Sequence, residues 1–406
     1  MSIRRRTALL LAAGLLARGV NSAPAPRPGV GNDNAHQHQP SASQAGGDAV
    51  REAKAVSPER LRERAGLLKT GEAALARLDV AAALSAFERA ALILHAADTE
   101  IALVRGYMQA GDYRRALAFG AHTAGAHLDV TGGSLLYAWL LHVGGQPAIA
   151  GRLLVEISAR LPDDALVRAV RRQLRSGAPV ATGQLLAPPA RLAPYGDAKG
   201  LPATARMVGS AVLVGNGTAA LLPLGLLPRS GRLWLRNGMG QLVQGRAKKR
   251  LTAMGVALVR LERPLPVAKE FRLAARDAFP GSAGFAVEYV SAPDAAPAWP
   301  VLRSGFLGSA GADSAERLLG IDMPAGARGG PVFDGAGQFI GVALPGAGSG
   351  GDRLLPVTQL TKALGTAMTA GSMQEPGSST GPKPRASVDM IYELSLRTSL
   401  QVITAN

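Results

Sequence analysis

The amino-acid sequence predicts a multidomain α and β protein, an N-terminal helical solenoid followed by a domain of β-barrels. Three observations carry that expectation. Within residues 57–175, small and large side chains recur at spacings of 33 or 34 residues. From about residue 200, short apolar runs are broken by Gly and Pro, the pattern of short strands and tight turns. Around both regions lie polar stretches rich in Pro, Gly and Ser, which read as linkers.

Taken in order, the chain opens with Arg4, Arg5 and Arg6, then an apolar run of ten residues over 7–16, then small residues through Val20 and Ser22. This is the layout of a secretory signal peptide over residues 1–22, weakly similar to a twin-arginine signal. The run is too short to span a bilayer. No later stretch is long and apolar enough, so the mature chain is expected to carry no transmembrane segment and to be periplasmic or secreted. With no cysteine in the sequence, disulfides, thiol catalysis and cysteine metal sites are excluded. Residues 23–56 read as a disordered linker. His36 and His38 lie in it, but two imidazoles without further donors make a solvated tract rather than a metal site. No metal or cofactor motif is present.

Residues 57–175 read as helices. Ser57 followed by Pro58 is a helix start, with Ser as cap and Pro at the first helical position. Ala83, Ala116 and Ala150 are 33 and 34 apart, and both Gly111 to Gly145 and Tyr107 to Leu141 span 34. The pattern resembles the tetratricopeptide repeat (TPR), with units near 65–97, 98–131 and 132–165 and a capping helix to 175. The first unit departs from it, with Leu78 and Asp79 where glycine is usual. The resemblance implies a short curved solenoid whose concave face takes a peptide or partner helix. Arg105, Arg114 and Arg115 are candidates to line or rim that face. Residues 176–199, with Pro179, Pro188, Pro189 and Pro194, read as an extended connector.

Residues 200–370 carry four segments in a fixed order: GSAVLV at 209–214, AALLPLGLL at 219–227, GVALVRL at 255–261 and GARGGPVF at 326–333, followed by RLLPV at 353–357. Together they resemble the trypsin-like serine proteases of the HtrA type, and the resemblance implies a trypsin-like double β-barrel. In that family the corresponding positions hold histidine, aspartate and serine. Here they hold Gly225 or Leu224, Gly255 and Arg328. A guanidinium has no lone pair with which to attack a carbonyl. None of the six histidines lies beyond residue 142, so this region has no imidazole base. A serine–lysine dyad drawn from Ser210, Ser282, Ser304 and Lys269 is formally open, but their spacing does not suggest one. The resemblance therefore implies an inactive protease homologue. Gly326, Arg328 and Gly329 are its candidate ligand-binding residues, since a Gly-rich turn presents N–H groups and a guanidinium binds carboxylates.

Residues 371–386 read as a flexible linker. Residues 387–406 form an apolar docking segment whose pattern fits both a strand and a helix, through Val388, Met390, Ile391, Tyr392 and Leu394. Docking onto the chain itself is the expectation. The formal net charge is +16, but aromatic residues are only 4% of the chain, and the tightest basic cluster is Arg246, Lys248, Lys249 and Arg250. Specific nucleic-acid binding is not expected. The function predicted is a non-catalytic exported scaffold with a protein or peptide partner in the cell envelope. The alternatives are an endopeptidase with atypical catalytic residues and a polyanion-binding envelope protein.

Overall fold

The computed structural model describes residues 56–177, 180, 183–309, 317–324, 326, 328–346, 351–368 and 385–405. The expected signal peptide, both expected linkers apart from Val56, Arg385 and Ala386, and with them His36 and His38, lie outside the described residues. No described helix is long and apolar enough to cross a membrane.

Seven helices come first: α1 Pro58–Ala76, α2 Val80–Ile93, α3 Ala97–Ala110, α4 Tyr113–Ala126, α5 Thr131–Val143, α6 Pro147–Arg160 and α7 Ala165–Ser176. The Ser57 side chain accepts from the Arg60 N–H at the start of α1. Successive helices pack on one another, giving three hairpins and a closing helix. Ala83, Ala116 and Ala150 are fully buried where helices approach, around Phe87, Ile101, Met108, Tyr113 and Leu135.

The turns inside the hairpins share one geometry. Asp79, Asp112 and Gln146 donate their N–H to Ala74, Tyr107 and Leu141 at 2.9, 2.9 and 2.8 Å. Each bond spans five residues and closes over a residue of positive φ: Leu78 (61°), Gly111 (78°) and Gly145 (87°). This is the Schellman helix end, which asks for glycine at the left-handed position. Leu78 holds that conformation despite its side chain.

The β region contains β1 Arg206–Val214, β2 Ala219–Pro223, β3 Arg232–Asn237, β4 Leu242–Leu251, β5 Val256–Leu261, β6 Ala283–Glu288, β7 Val301–Phe306, β8 Arg317–Leu318, β9 Pro331–Asp334, β10 Phe339–Leu344, β11 Arg353–Pro356 and β12 Ser399–Thr404. Two further helices are α8 Val357–Leu364 and α9 Val388–Thr398. As expected, helices precede two barrel-like sheets. The first is a closed barrel in the order β1-β12-β3-β4-β5-β2. The second has the order β7-β6-β9-β10-β11-β8, and backbone bonds from Gly308 and Ser309 to Leu318 draw its outer strands together. Ala211, Leu213, Leu222, Leu235, Val259 and Val402 fill the closed barrel, and Ala286, Val332, Ile340 and Leu354 the second sheet. In β2, β10 and β12 the opposite faces are buried too, so these strands read as apolar runs, whereas β4 and β7 expose their outer faces.

The C-terminal segment takes both conformations its pattern fits. It is a helix to Thr398, then a strand from Ser399. That strand belongs to the barrel, pairing Leu400 with Ala211 of β1 and with Asn237 of β3. The helix α9 lies between the helical hairpins and the barrel. Tyr392 packs edge-on against Tyr113 at 4.5 Å and donates to the Pro300 carbonyl at 2.8 Å. Arg397 donates to the carbonyls of Ala110 and Gly111 at 2.9 and 3.2 Å. The helical and β regions accordingly belong to a single compact unit.

A Cβ on Gly111 would lie 2.9 Å from Met239 Sδ and 3.1 Å from the Arg397 guanidinium, at a φ that L-residues avoid. Gly111→Ala is expected to cost roughly 1–3 kcal/mol in urea denaturation. Gly125→Ala in α4, where a Cβ meets nothing within 4 Å, is expected to be neutral or to stabilise by up to about 1 kcal/mol.

Candidate functional site

Gly225, Gly255 and Arg328 come from three separate segments and meet at one place. Residues 224–226 make a 3-10 turn after β2, and the Leu224 N–H donates to the Gly255 carbonyl at 2.7 Å. Gly255 ends the next 3-10 turn with φ of 69°, which admits glycine readily and aspartate poorly. Together with Pro223, Leu226, Leu344, Pro345 and Arg353, they line a cavity of about 270 Å³. No described lining residue carries a hydroxyl, thiol, imidazole or carboxylate. The four side chains considered for a dyad do not gather there. Ser210 is buried and accepts from the Tyr289 N–H at 2.8 Å. Ser304 and Lys269 are exposed, and Ser282 lines a different cavity beside Phe279 and Phe306.

The Gly-rich turn is held from both sides by the chain's own charges. The Arg328 guanidinium donates to Asp352 at 2.6 Å and to the carbonyls of Gly326 and Met323 at 2.9 and 3.4 Å. It is buried and committed to the turn rather than projected at a ligand. On the other side, the N–H groups of Gly329 and Gly330 donate to one oxygen of Glu288 at 3.2 and 3.0 Å. The turn thus binds a carboxylate, and that carboxylate is internal. The close approach needs glycine: a Cβ on Gly329 would lie 2.1 Å from the Ser210 carbonyl oxygen, and one on Gly330 2.0 Å from that of Val287.

Glu288 is fully enclosed, and burial raises its pKa to about 7 against the opposing pull of Ser210, the two N–H groups and Arg328. Glu288 is not among the candidates read from the sequence. The signal was there, a single acid within an apolar run.

Other side chains of interest are also engaged. Arg105 is buried against Glu72, with Nη2 donating at 2.9 Å. Arg114 pairs with Glu393 of α9 at 3.0 Å, and Arg115 lies 4.1 Å over the Tyr107 ring. The barrel surface carries a row that was not foreseen from the sequence. Arg232 pairs with Arg246, and Arg246 with Arg260, across β3, β4 and β5. All three are exposed, as are Lys248, Lys249 and Arg250. No described acidic group pairs with the three arginines. Their even spacing of 14 residues was the available clue.

No family model and no curated protein matches the chain. Among solved structures, it is similar to the MamO protease domain from Magnetospirillum magneticum in its apo form, at 17% identity and a TM-score of 0.30, covering 41% of this chain and 98% of that one. It is similar also to Deg5, at 14% identity and a TM-score of 0.30, covering 41% and 88%. At these values neither likeness transfers residue roles.

Because Glu288 holds its proton more tightly in the folded chain than at the ordinary value of 4.5, its contribution to stability is fully present below about 4.5 and lost as pH rises through about 7. From pH 5 to 8, wild type is expected to lose roughly 2–3 kcal/mol more than Glu288→Gln, read from urea denaturation across pH. His142, lowered to about 4 by burial and Arg303, titrates in both proteins and cancels. Parallel profiles for the two proteins would remove Glu288 as a titrating group.

Proposed function

We propose that the chain is a non-catalytic, exported scaffold, a trypsin-like pseudoprotease joined to TPR-like repeats, which assembles with a protein partner of the cell envelope. One observation carries this reading. Gly225, Gly255 and Arg328 surround one cavity whose described lining has neither a nucleophile nor a base. Acyl transfer at such a place lacks the group that attacks and the group that takes the proton. What remains is a concave, mainly apolar surface, with a turn made rigid by Glu288 and Arg328. In this reading Gly326, Arg328 and Gly329 shape the surface that a partner meets, and Arg328 acts through the turn. The signal peptide expected over residues 1–22 supports the address. Incubated with an unfolded protein, the purified chain is expected to give no cleavage above a blank. Cleavage that disappears with a single substitution such as Ser210→Ala would overturn the reading.

The arginine row favours a second reading, binding of an envelope polyanion. Like charges placed directly opposite on neighbouring strands destabilise a sheet, so a row of three guanidinium groups with no described acidic partner is a cost that an anionic ligand offsets. Binding to polyphosphate is expected to weaken as salt rises. In the triple variant Arg232→Ala, Arg246→Ala, Arg260→Ala, the slope of log K against log salt should fall by as much as ~2–3, at roughly 0.7–0.9 for each phosphate no longer neutralised. An unchanged slope would exclude the row as the binding surface.

A further inference from the structure

The helical region holds a cluster that plays no part in the proposed function. Glu100 lies in the first turn of α3 and is 1% exposed. His95 comes from the connection before α3, His122 from the last turns of α4, and His127 follows that helix directly. Antiparallel packing sets the start of α3 beside the end of α4, and three imidazoles converge on one carboxylate. His127 Nε2 lies 3.4 Å from one carboxylate oxygen, and His122 Nε2 3.5 Å from the other, which His95 Nε2 also contacts. The donor atoms of His95, Glu100 and His127 all fall within 4.8 Å of one another.

Among the described residues, the two buried carboxylate oxygens of Glu100 and the buried His127 Nε2 have no hydrogen-bond partner of regular geometry, although the imidazoles stand in ion-pair range. A buried carboxylate without hydrogen-bond donors is strongly unfavourable unless another charge compensates it. The spacing indicates which charge. Two donors each about 2.0–2.1 Å from a tetrahedral ion stand about 3.3–3.4 Å apart. The gap at His127 matches that edge, whereas His95 Nε2 stands closer to the carboxylate than two donors of one ion do.

We propose that His95, Glu100 and His127 form a site for a divalent transition-metal ion of the Zn²⁺ class, with His122 beside Glu100 at its rim. Two imidazole nitrogens and one carboxylate oxygen are a donor set for Zn²⁺, Co²⁺, Ni²⁺ or Cu²⁺ rather than for Mg²⁺ or Ca²⁺. Three protein ligands leave the fourth position of a tetrahedral shell open. The site fastens the connection before α3 to the end of α4. His95 and His122 are half exposed and leave the ion a route in from solvent. The sequence shows no metal motif, because these residues meet only through helix packing.

The test uses the full chain, stripped with EDTA and re-equilibrated with Zn²⁺ alone, with bound metal counted after equilibrium dialysis. A variant with His36→Ala and His38→Ala removes the neighbouring pair of histidines in the sequence. The proposal expects one equivalent of Zn²⁺ per chain in wild type and in that variant, and affinity at least tenfold lower in Glu100→Gln and His127→Ala. Should either buried substitution fail to fold by circular dichroism, His95→Ala at the half-exposed position must show the loss. No stoichiometric uptake, affinity unchanged in the cluster variants, or uptake abolished by the His36/His38 variant would each overturn it.

Discussion

The architecture depends on where the last strand goes. β12 lies between β1 and β3, so the first barrel closes only with the end of the chain in place. Every residue of β12 is buried. Without it, two inner strands would each present a row of unpaired N–H and C=O groups, which a folded chain must satisfy. The helix before it, α9, is thereby held against the helical hairpins. One segment both completes a sheet and joins two regions that differ in every local pattern.

The joint places demands on the helical turns. Gly111 meets Met239 and Arg397, and a Cβ on Gly145 would lie 2.4 Å from Leu302. The repeat turns therefore need glycine twice over, for positive φ and for close approach. Leu78, in the equivalent turn of the first hairpin, is only partly buried and holds the same positive φ. A side chain in the left-handed region costs about 1–2 kcal/mol.

Around the cavity at Gly225, the chain supplies its own ligands. Glu288 occupies N–H groups of the Gly-rich turn, and Arg328 takes its carbonyls and Asp352. Opposite charges approach the turn from opposite sides. The result is a turn held by the chain's own side chains. On the barrel exterior, by contrast, Arg232, Arg246 and Arg260 align and pair with no described acidic group.

Local signals in the sequence determined the helical region and the strand-rich region, whereas the three positions that meet at the cavity came from a family resemblance. Each region rests on near neighbours: a 34-residue spacing of small residues, a Ser–Pro helix start, Gly and Pro between apolar runs. A segment such as 387–404 remained ambiguous because its apolar spacing fits both periods, and only burial between β1 and β3 selects a strand after Thr398. Tertiary structure alone decided the partners of charged side chains. Glu288 faces Gly329 and Gly330 across 41 and 42 residues, and Arg232, Arg246 and Arg260 align only through strand register. The three histidines reach Glu100 only because antiparallel packing brings the ends of α3 and α4 together. Periodicity encodes which face of an element is apolar, whereas the meeting of distant polar groups follows from how those faces pack.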